Sequence, residues 1–214
     1  DYFYAYGGTY SEDADSKSKH KPANVVDVDK DGSTDDDWRR ANVDSVICNL
    51  YKAIQEVKPW VRFGMGIPGN WTMKSKAASA YGISLPSGIS AMESYDYLYC
   101  NAVEWAKQGW VDYLNPQIYW STQVTRQNYR VLCQWWAKTV CENFSNKLPN
   151  GQRVQFCVSQ AAYGATDSDA GLSGYGDGVV EIQRQIDANR ANLSSGYTGS
   201  VFFNTSSYIL LFKE

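Results

Sequence analysis

Residues 94–120, SYDYLYCNAVEWAKQGWVDYLNPQIYW, decide the fold. Tyr95, Leu98, Tyr99, Ala102, Val103 and Ala106 recur at the three-and-four spacing of one helix face, which predicts a helix over 94–108. Gly109 stops it, and Val111 to Tyr119 follows as a short apolar strand. A helix that delivers the chain straight into such a strand is the repeating step of a parallel sheet covered by helices.

The same step recurs on both sides. Upstream, Val43, Val46, Ile47, Leu50, Tyr51, Ile54 and Val57 form one buried face of a helix that begins near Asp37 and closes at Pro59. Asp35, Asp36 and Asp37 suit its N-terminus, and Val61 to Ile67 is a strand ended by Pro68-Gly69. Downstream, a helix over 125–144 leads to a strand at 154–158, and a helix over 178–193 leads to a strand at 199–203. Residues 11–37 and 71–93 read as long polar loops, and Gly164, Gly171, Gly174, Gly176 and Gly178 mark a third loop. Two architectures compete, an open doubly wound sheet and a (β/α)8 barrel. The first needs a G-x-G-x-x-G turn after its first strand, and the chain contains none. The barrel is favoured, although four strands are visible where eight are required.

Composition narrows the chemistry. One histidine, His20, leaves no Ser-His-Asp triad with a positioned imidazole and no His-rich metal cluster. A net charge of -3 and a pI near 5.2 argue against a protein that tracks nucleic-acid phosphates. No run of about 18 apolar residues exists to cross a membrane. Cys48, Cys100, Cys133, Cys141 and Cys157 are odd in number and lack metal-ligand spacing, so they read as small buried hydrophobes. No organic cofactor is expected. The eight Trp, sixteen Tyr and seven Phe, by contrast, suit surfaces that grip sugars or proteins. The first residue is Asp rather than Met, which reads as a processed, excised or truncated chain.

A barrel works at the C-terminal ends of its strands. Here those ends carry Asn70 and Trp71, then Gln117, Tyr119 and Trp120, then Gln160 and Tyr163, and finally Asn204. Period-two alternation puts Gln117 and Tyr119 on one face, with Asn115 and Tyr113 behind them. Neutral amides beside flat rings suit sugar hydroxyls and ring C–H groups; the plain alternative is that the aromatics only fill the barrel mouth. None of these ends carries Asp or Glu, although a glycosidase normally needs two carboxyl groups. Asp1, just before Tyr2-Phe3-Tyr4, is the one well-placed candidate.

A second constellation is acidic. Asp27, Asp29 and Asp31, then Gly32, the carbonyl of Ser33 and Asp35, occupy positions one, three, five, six, seven and nine of a D-x-D-x-D-G calcium loop. Position twelve is Trp38 instead of a bidentate Glu, with Asp36 or Asp37 as substitutes in a modified loop. No helix is predicted before it, so an EF-hand is not expected. Calcium binding competes with a solvated acidic loop leading into a helix.

Asp1-Tyr2-Phe3-Tyr4, Asp37-Trp38-Arg39-Arg40, Lys58-Pro59-Trp60-Val61-Arg62-Phe63-Gly64, Pro116-Gln117-Ile118-Tyr119-Trp120, Gln160-Ala161-Ala162-Tyr163 and Ser200-Val201-Phe202-Phe203 together resemble the bacterial glycosyl-hydrolase-10-like family, distinct from the similarly named xylanases. The resemblance covers nearly the whole chain. Ala5 stands where that family has Pro, and Asn115 where a small apolar residue is usual. The resemblance implies an α/β fold, with residues 1–214 as a single partial domain, the C-terminal half of a (β/α)8 TIM-type barrel from about strand five to strand eight. It implies hydrolysis of a bacterial cell-envelope or related glycan with N-acetylated amino sugars, in the periplasm, at the cell surface or outside the cell. Asp1 becomes the general acid or the residue that orients substrate. With few carboxylates at hand, attack by the sugar's own 2-acetamido oxygen is attractive, with Tyr119 steadying that group and Trp71 and Trp120 stacking on sugar rings. Two other roles stay open: a carbohydrate-binding half-barrel without activity, and an assembly half that pairs its exposed edges with a second copy or with the missing N-terminal half.

Overall fold

The computed structural model describes residues 13–148, 151–166 and 178–211. Four parallel strands, β1 (Gly64–Pro68), β2 (Tyr113–Gln117), β3 (Gln155–Ala161) and β4 (Tyr197–Phe203), lie in the order β1-β2-β3-β4. Each strand pairs with the next in sequence. A doubly wound sheet would reverse its order at a switch point; this one runs in one direction, as a segment of a barrel does.

Helices fill every crossover. α1 (Ala14–His20) and α2 (Thr34–Val57) precede β1, and α3 (Ser75–Ala80), α4 (Ser94–Tyr97) and α5 (Ala102–Gln108) lie between β1 and β2. Between β2 and β3 a continuous helix begins as α6 (Tyr129–Gln134), widens to a π-helix at Trp135–Glu142 and ends as α7 (Asn143–Ser145). α8 (Tyr163–Thr166) and α9 (Gly178–Arg190) precede β4, and α10 (Thr205–Leu211) follows it. The two long stretches predicted as loops therefore contain α1 and α3.

The strands alternate in burial. Met65, Ile67, Leu114, Ile118, Phe156 and Val158 are buried in one core with Trp71, Trp105 and Trp136 from the helical side. On the opposite sheet face, Tyr113, Asn115, Gln117 and Tyr119 are half-exposed. β2 carries Pro116 although it lies inside the sheet. Its ladder with β3 pairs Tyr113 with Gln155 and Leu114 with Phe156, then resumes at Gln117 with Ser159, so the gap falls where proline has no N–H to give. On β1, Gly64 faces Tyr113, and a Cβ there would sit 2.2 Å from the tyrosine ring.

Three predicted elements change shape. The helix expected over 94–108 breaks at Tyr99, whose φ is +53°. The break turns Tyr95 and Tyr99 onto α2, where the Arg40 guanidinium lies 4.0 Å from the Tyr95 ring centroid and Arg39 donates to the Tyr99 hydroxyl at 3.2 Å. The helix expected from 125 starts at Tyr129, because the Asn128 side chain accepts from the N–H groups of Arg130 and Val131 and caps it there. Its π-wound middle lets adjacent Trp135 and Trp136 both be buried, donating their indole N–H to the carbonyls of Ser84 (2.6 Å) and Gly69 (2.7 Å). α2 buries Val43, Ile47 and Cys48 as predicted, yet Val46, Leu50 and Val57 are exposed. No described element covers that half of its stripe. The five cysteines are all unbridged, four buried and Cys157 half-buried. Burial pushes the Cys157 thiol up to about 11.

Candidate functional site

The registers Pro68 to Gln117, Gln117 to Ser159 and Ala161 to Phe203 set the C-terminal ends of the strands side by side. Gly69 lets the next segment close over this end. A Cβ there would lie 2.6 Å from the Gln117 carbonyl oxygen and 3.0 Å from the Trp120 ring. Beyond it Tyr119, Tyr163 and Phe203 meet. The Tyr119 and Phe203 rings stack with centroids 6.0 Å apart, and Tyr163 stands edge-on to both, at 6.1 and 6.4 Å. The two tyrosines are half-buried and Phe203 is 52% exposed. Burial raises the Tyr119 phenol, opposed by a hydrogen bond with Ser159, and burial raises Tyr163 as well. Both hydroxyls thus stay protonated at neutral pH. Gln117 shares the face of Tyr119, two residues back along the strand. Asn204 is the residue expected at the end of β4; the ring that joins the cluster is its neighbour Phe203.

Four of the expected sugar-binding residues have other surroundings. Asn70 is fully buried and donates its amide to the carbonyls of Ala91 and Met92, holding the 91–94 loop against the end of β1. Trp71 is 1% exposed, edge-on to Tyr81 and Tyr95 and stacked on Trp135, so its faces belong to the core. Gln160 points toward the helices, donating to Gln185 and accepting from Asn189 in a buried amide network. Asn204 accepts from the backbone N–H and hydroxyl of Ser207 at the start of α10. Trp120 keeps its place at the mouth, half-buried, while its carbonyl accepts from Gln185. Asp1 lies outside the described residues.

Carboxylates absent from the strand ends in sequence reach them in space. Glu93 accepts from the Thr72 hydroxyl (2.9 Å) and the Met73 N–H (2.7 Å), and Asp96 accepts from Thr72 at 3.2 Å. Burial raises Asp96, opposed by Lys74 at 2.8 Å. Glu181, in the first turn of α9 and fully buried, accepts from the Thr122 N–H (2.6 Å), the Thr122 hydroxyl (2.7 Å) and the Gln185 amide (3.1 Å). No sequence signal marks Glu93; Asp96 carries a weak one, as an acid in the first turn of α4. Glu181 carries the same weak signal in the first turn of α9.

The acidic loop departs from the ligand order its sequence suggested. Asp35 is engaged by Lys17 and Lys21, which hold its carboxyl down at about 2. Asp31 pairs with Lys74 at 2.9 Å and accepts from the Ser33 N–H. Asp27 and Asp29 come together instead with Asp37, from the first turn of α2. Burial raises the Asp29 carboxyl despite Arg40 nearby. A helix does precede the loop, α1, although the acidic segment does not continue from it.

Comparison with known proteins identifies the family. The family model for glycosyl hydrolase-like 10 matches residues 1–160. Glycosyl hydrolase YngK of Bacillus subtilis (strain 168) is 34% identical over 164 residues, 76% of this chain and 28% of that protein. Glycosyl hydrolase DigH of Escherichia coli (strain K12) is 31% identical over 158 residues, 72% of this chain and 32% of the relative. The chain thus spans about a third of the length of these relatives.

Proposed function

The chain belongs to the glycosyl hydrolase-like 10 family, and from that premise we propose that it supplies strands five to eight of a (β/α)8 glycoside-hydrolase barrel whose sugar-binding mouth is lined by Tyr119, Tyr163 and Phe203. The observation that carries this reading is the meeting of three rings from the ends of three successive parallel strands. Flat apolar faces suit sugar C–H groups, and Gln117 and the tyrosine hydroxyls suit sugar oxygens. The substrate class is a bacterial cell-envelope glycan with N-acetylated amino sugars, which places the protein in the periplasm, at the cell surface or outside the cell. In the substrate-assisted route the 2-acetamido oxygen bonds to the anomeric carbon as the glycosidic oxygen leaves with a proton from Asp1. Water then adds to the anomeric carbon, giving its proton back to the Asp1 carboxylate as the bond to the acetamido oxygen breaks. Tyr119 donates its O–H to steady the acetamido group.

The open sheet supports completion by further strands. Among the described residues β1 and β4 each have one neighbour, and the exposed α2 stripe of Val46, Leu50 and Val57 belongs to the element just before β1. The test is binding and hydrolysis of N-acetylglucosamine oligomers and peptidoglycan fragments by the chain and by the longer protein. Tyr119→Ala and Tyr163→Ala each weaken binding about tenfold if the rings hold a sugar, since one such contact contributes on the order of 1–1.5 kcal/mol. Unchanged binding in both variants rejects the site, and a sugar trapped covalently on an enzyme carboxylate rejects the substrate-assisted route.

A further inference from the structure

We propose that the segment from Asp27 to Asp37 binds one calcium ion through the carboxylates of Asp27, Asp29 and Asp37. One oxygen from each lies within 4.8 Å of the other two. Oxygens that share a calcium at about 2.3–2.6 Å can be no more than roughly 5 Å apart, so a single ion reaches all three. Asp29 points independently to a ligand. It is 1% exposed, and its Oδ2 accepts no hydrogen bond. The Arg40 guanidinium stays 3.8 Å from that oxygen while it donates to Asp37 at 2.8 Å. A buried carboxylate oxygen without a donor is costly, and a cation bound between the three acids supplies what it lacks.

The surroundings select the ion. The donors are all carboxylate oxygens, with no thiolate or imidazole among them, which suits a hard cation. Asp27 and Asp29 sit on a loop that turns through Lys30 (φ +56°) and Gly32 (φ +89°) and Asp37 sits on α2; carboxylates brought from two elements suit calcium, which accepts irregular coordination, over magnesium, which demands an octahedron. Asp27 and Asp29 also line a cleft of about 720 Å³ with Val26, Lys30, Ser75 and Ser79, which gives a hydrated ion a route in. Asp31 and Asp35, the next acids of the linear motif, are taken by Lys74 and by Lys17 and Lys21. Asp37, eleventh in the loop, takes their place and ties it to α2; it already accepts from the Val28 N–H at 3.1 Å.

The chain, freed of metal by chelator, is titrated with calcium chloride by calorimetry and followed by thermal unfolding. One ion binds per chain, and the unfolding midpoint rises by about 5–10 °C when calcium exceeds Kd a hundredfold. Asp29→Asn and Asp27→Asn each weaken binding at least about tenfold, whereas Asp35→Asn leaves it within about twofold. Absence of calcium binding by the unaltered chain up to millimolar concentration overturns the proposal, whether or not the variants fold. So does loss of binding in Asp35→Asn with retention in Asp29→Asn, or tighter binding of magnesium chloride than of calcium chloride.

Discussion

Glu181 offers the sharpest test of how the mouth of the sheet is held in place. It is fully buried, and its carboxylate receives the Thr122 N–H, the Thr122 hydroxyl and the Gln185 amide at 2.6, 2.7 and 3.1 Å. Thr122 lies two residues after Trp120, so this clamp fixes the loop after β2 to the first turn of α9. Glu181→Ala leaves three donors without an acceptor, at about 1–3 kcal/mol each when buried. Water entering the emptied space recovers part of that, and the expected loss is about 3–5 kcal/mol. With a urea m-value of about 2 kcal/mol/M, the unfolding midpoint followed by tryptophan fluorescence falls by roughly 1.5–2.5 M. Glu181→Gln keeps the shape and one acceptor, and the Thr122 hydroxyl can turn to accept from the new amide, so its loss is about 1–2 kcal/mol. Thr122→Val deletes only the hydroxyl. The cycle of Glu181→Ala, Thr122→Val and the double variant should show a coupling of about 1–3 kcal/mol. A loss below about 1 kcal/mol for Glu181→Ala, or additive variants, would refute the clamp.

Other perturbations read different parts of the molecule. Gly64→Ala drives a methyl group to 2.2 Å from the Tyr113 ring and should cost about 1–3 kcal/mol by urea unfolding, with most of the loss relieved in a Tyr113→Ala background. Trp136→Phe leaves the buried Gly69 carbonyl without its indole donor and should cost about 1–3 kcal/mol, measured the same way. Burial raises Asp44 to about 7, opposed by donors from Trp105 and Asn101. Between about pH 4 and pH 7 the folded chain therefore holds a proton that the unfolded chain has released, and this group's contribution to stability declines as pH rises, by at most roughly 4 kcal/mol. Asp44→Asn should flatten the fall of the unfolding midpoint across that window; an unchanged slope would exclude Asp44 as its source.

The fold was legible because each strand of this sheet is preceded by a helix and buried on one face, and both features leave periodic traces. The four strands fall where apolar runs such as Val111 to Tyr119 and Val154 to Val158 announced them. What periodicity misjudged depends on neighbours. Tyr95 to Ala106 keeps helical spacing across a real break because Tyr99 turns to meet Arg39 on α2, a residue 60 positions away. Val46, Leu50 and Val57 continue an apolar stripe that no described element covers. Local sequence records which residues prefer burial; it does not record where the covering layer ends.

The site was less legible because the strand ends alone do not carry its acids. Parallel strands joined by helices force every intervening helix to start near the face where the preceding strand ends. Acids in a first helical turn are favoured by the helix dipole, so the same preference that places Asp96 in α4 and Glu181 in α9 brings them to the segments just after β1 and β2, where they meet Thr72 and Thr122. Counting Asp and Glu beside strand ends finds none, while counting helix starts as well finds both. The amides went astray for a related reason. Gln160 follows Ser159 by one residue, and that single step turns its side chain from the open face into the helical layer, where Gln185 and Asn189 already wait. Tyr119 stacks on Phe203, and Tyr163 stands edge-on to both. In a parallel β/α sheet, therefore, a polar residue at a strand end is evidence for a ligand only once its parity along the strand is known, and an acid at a helix start belongs in the same count.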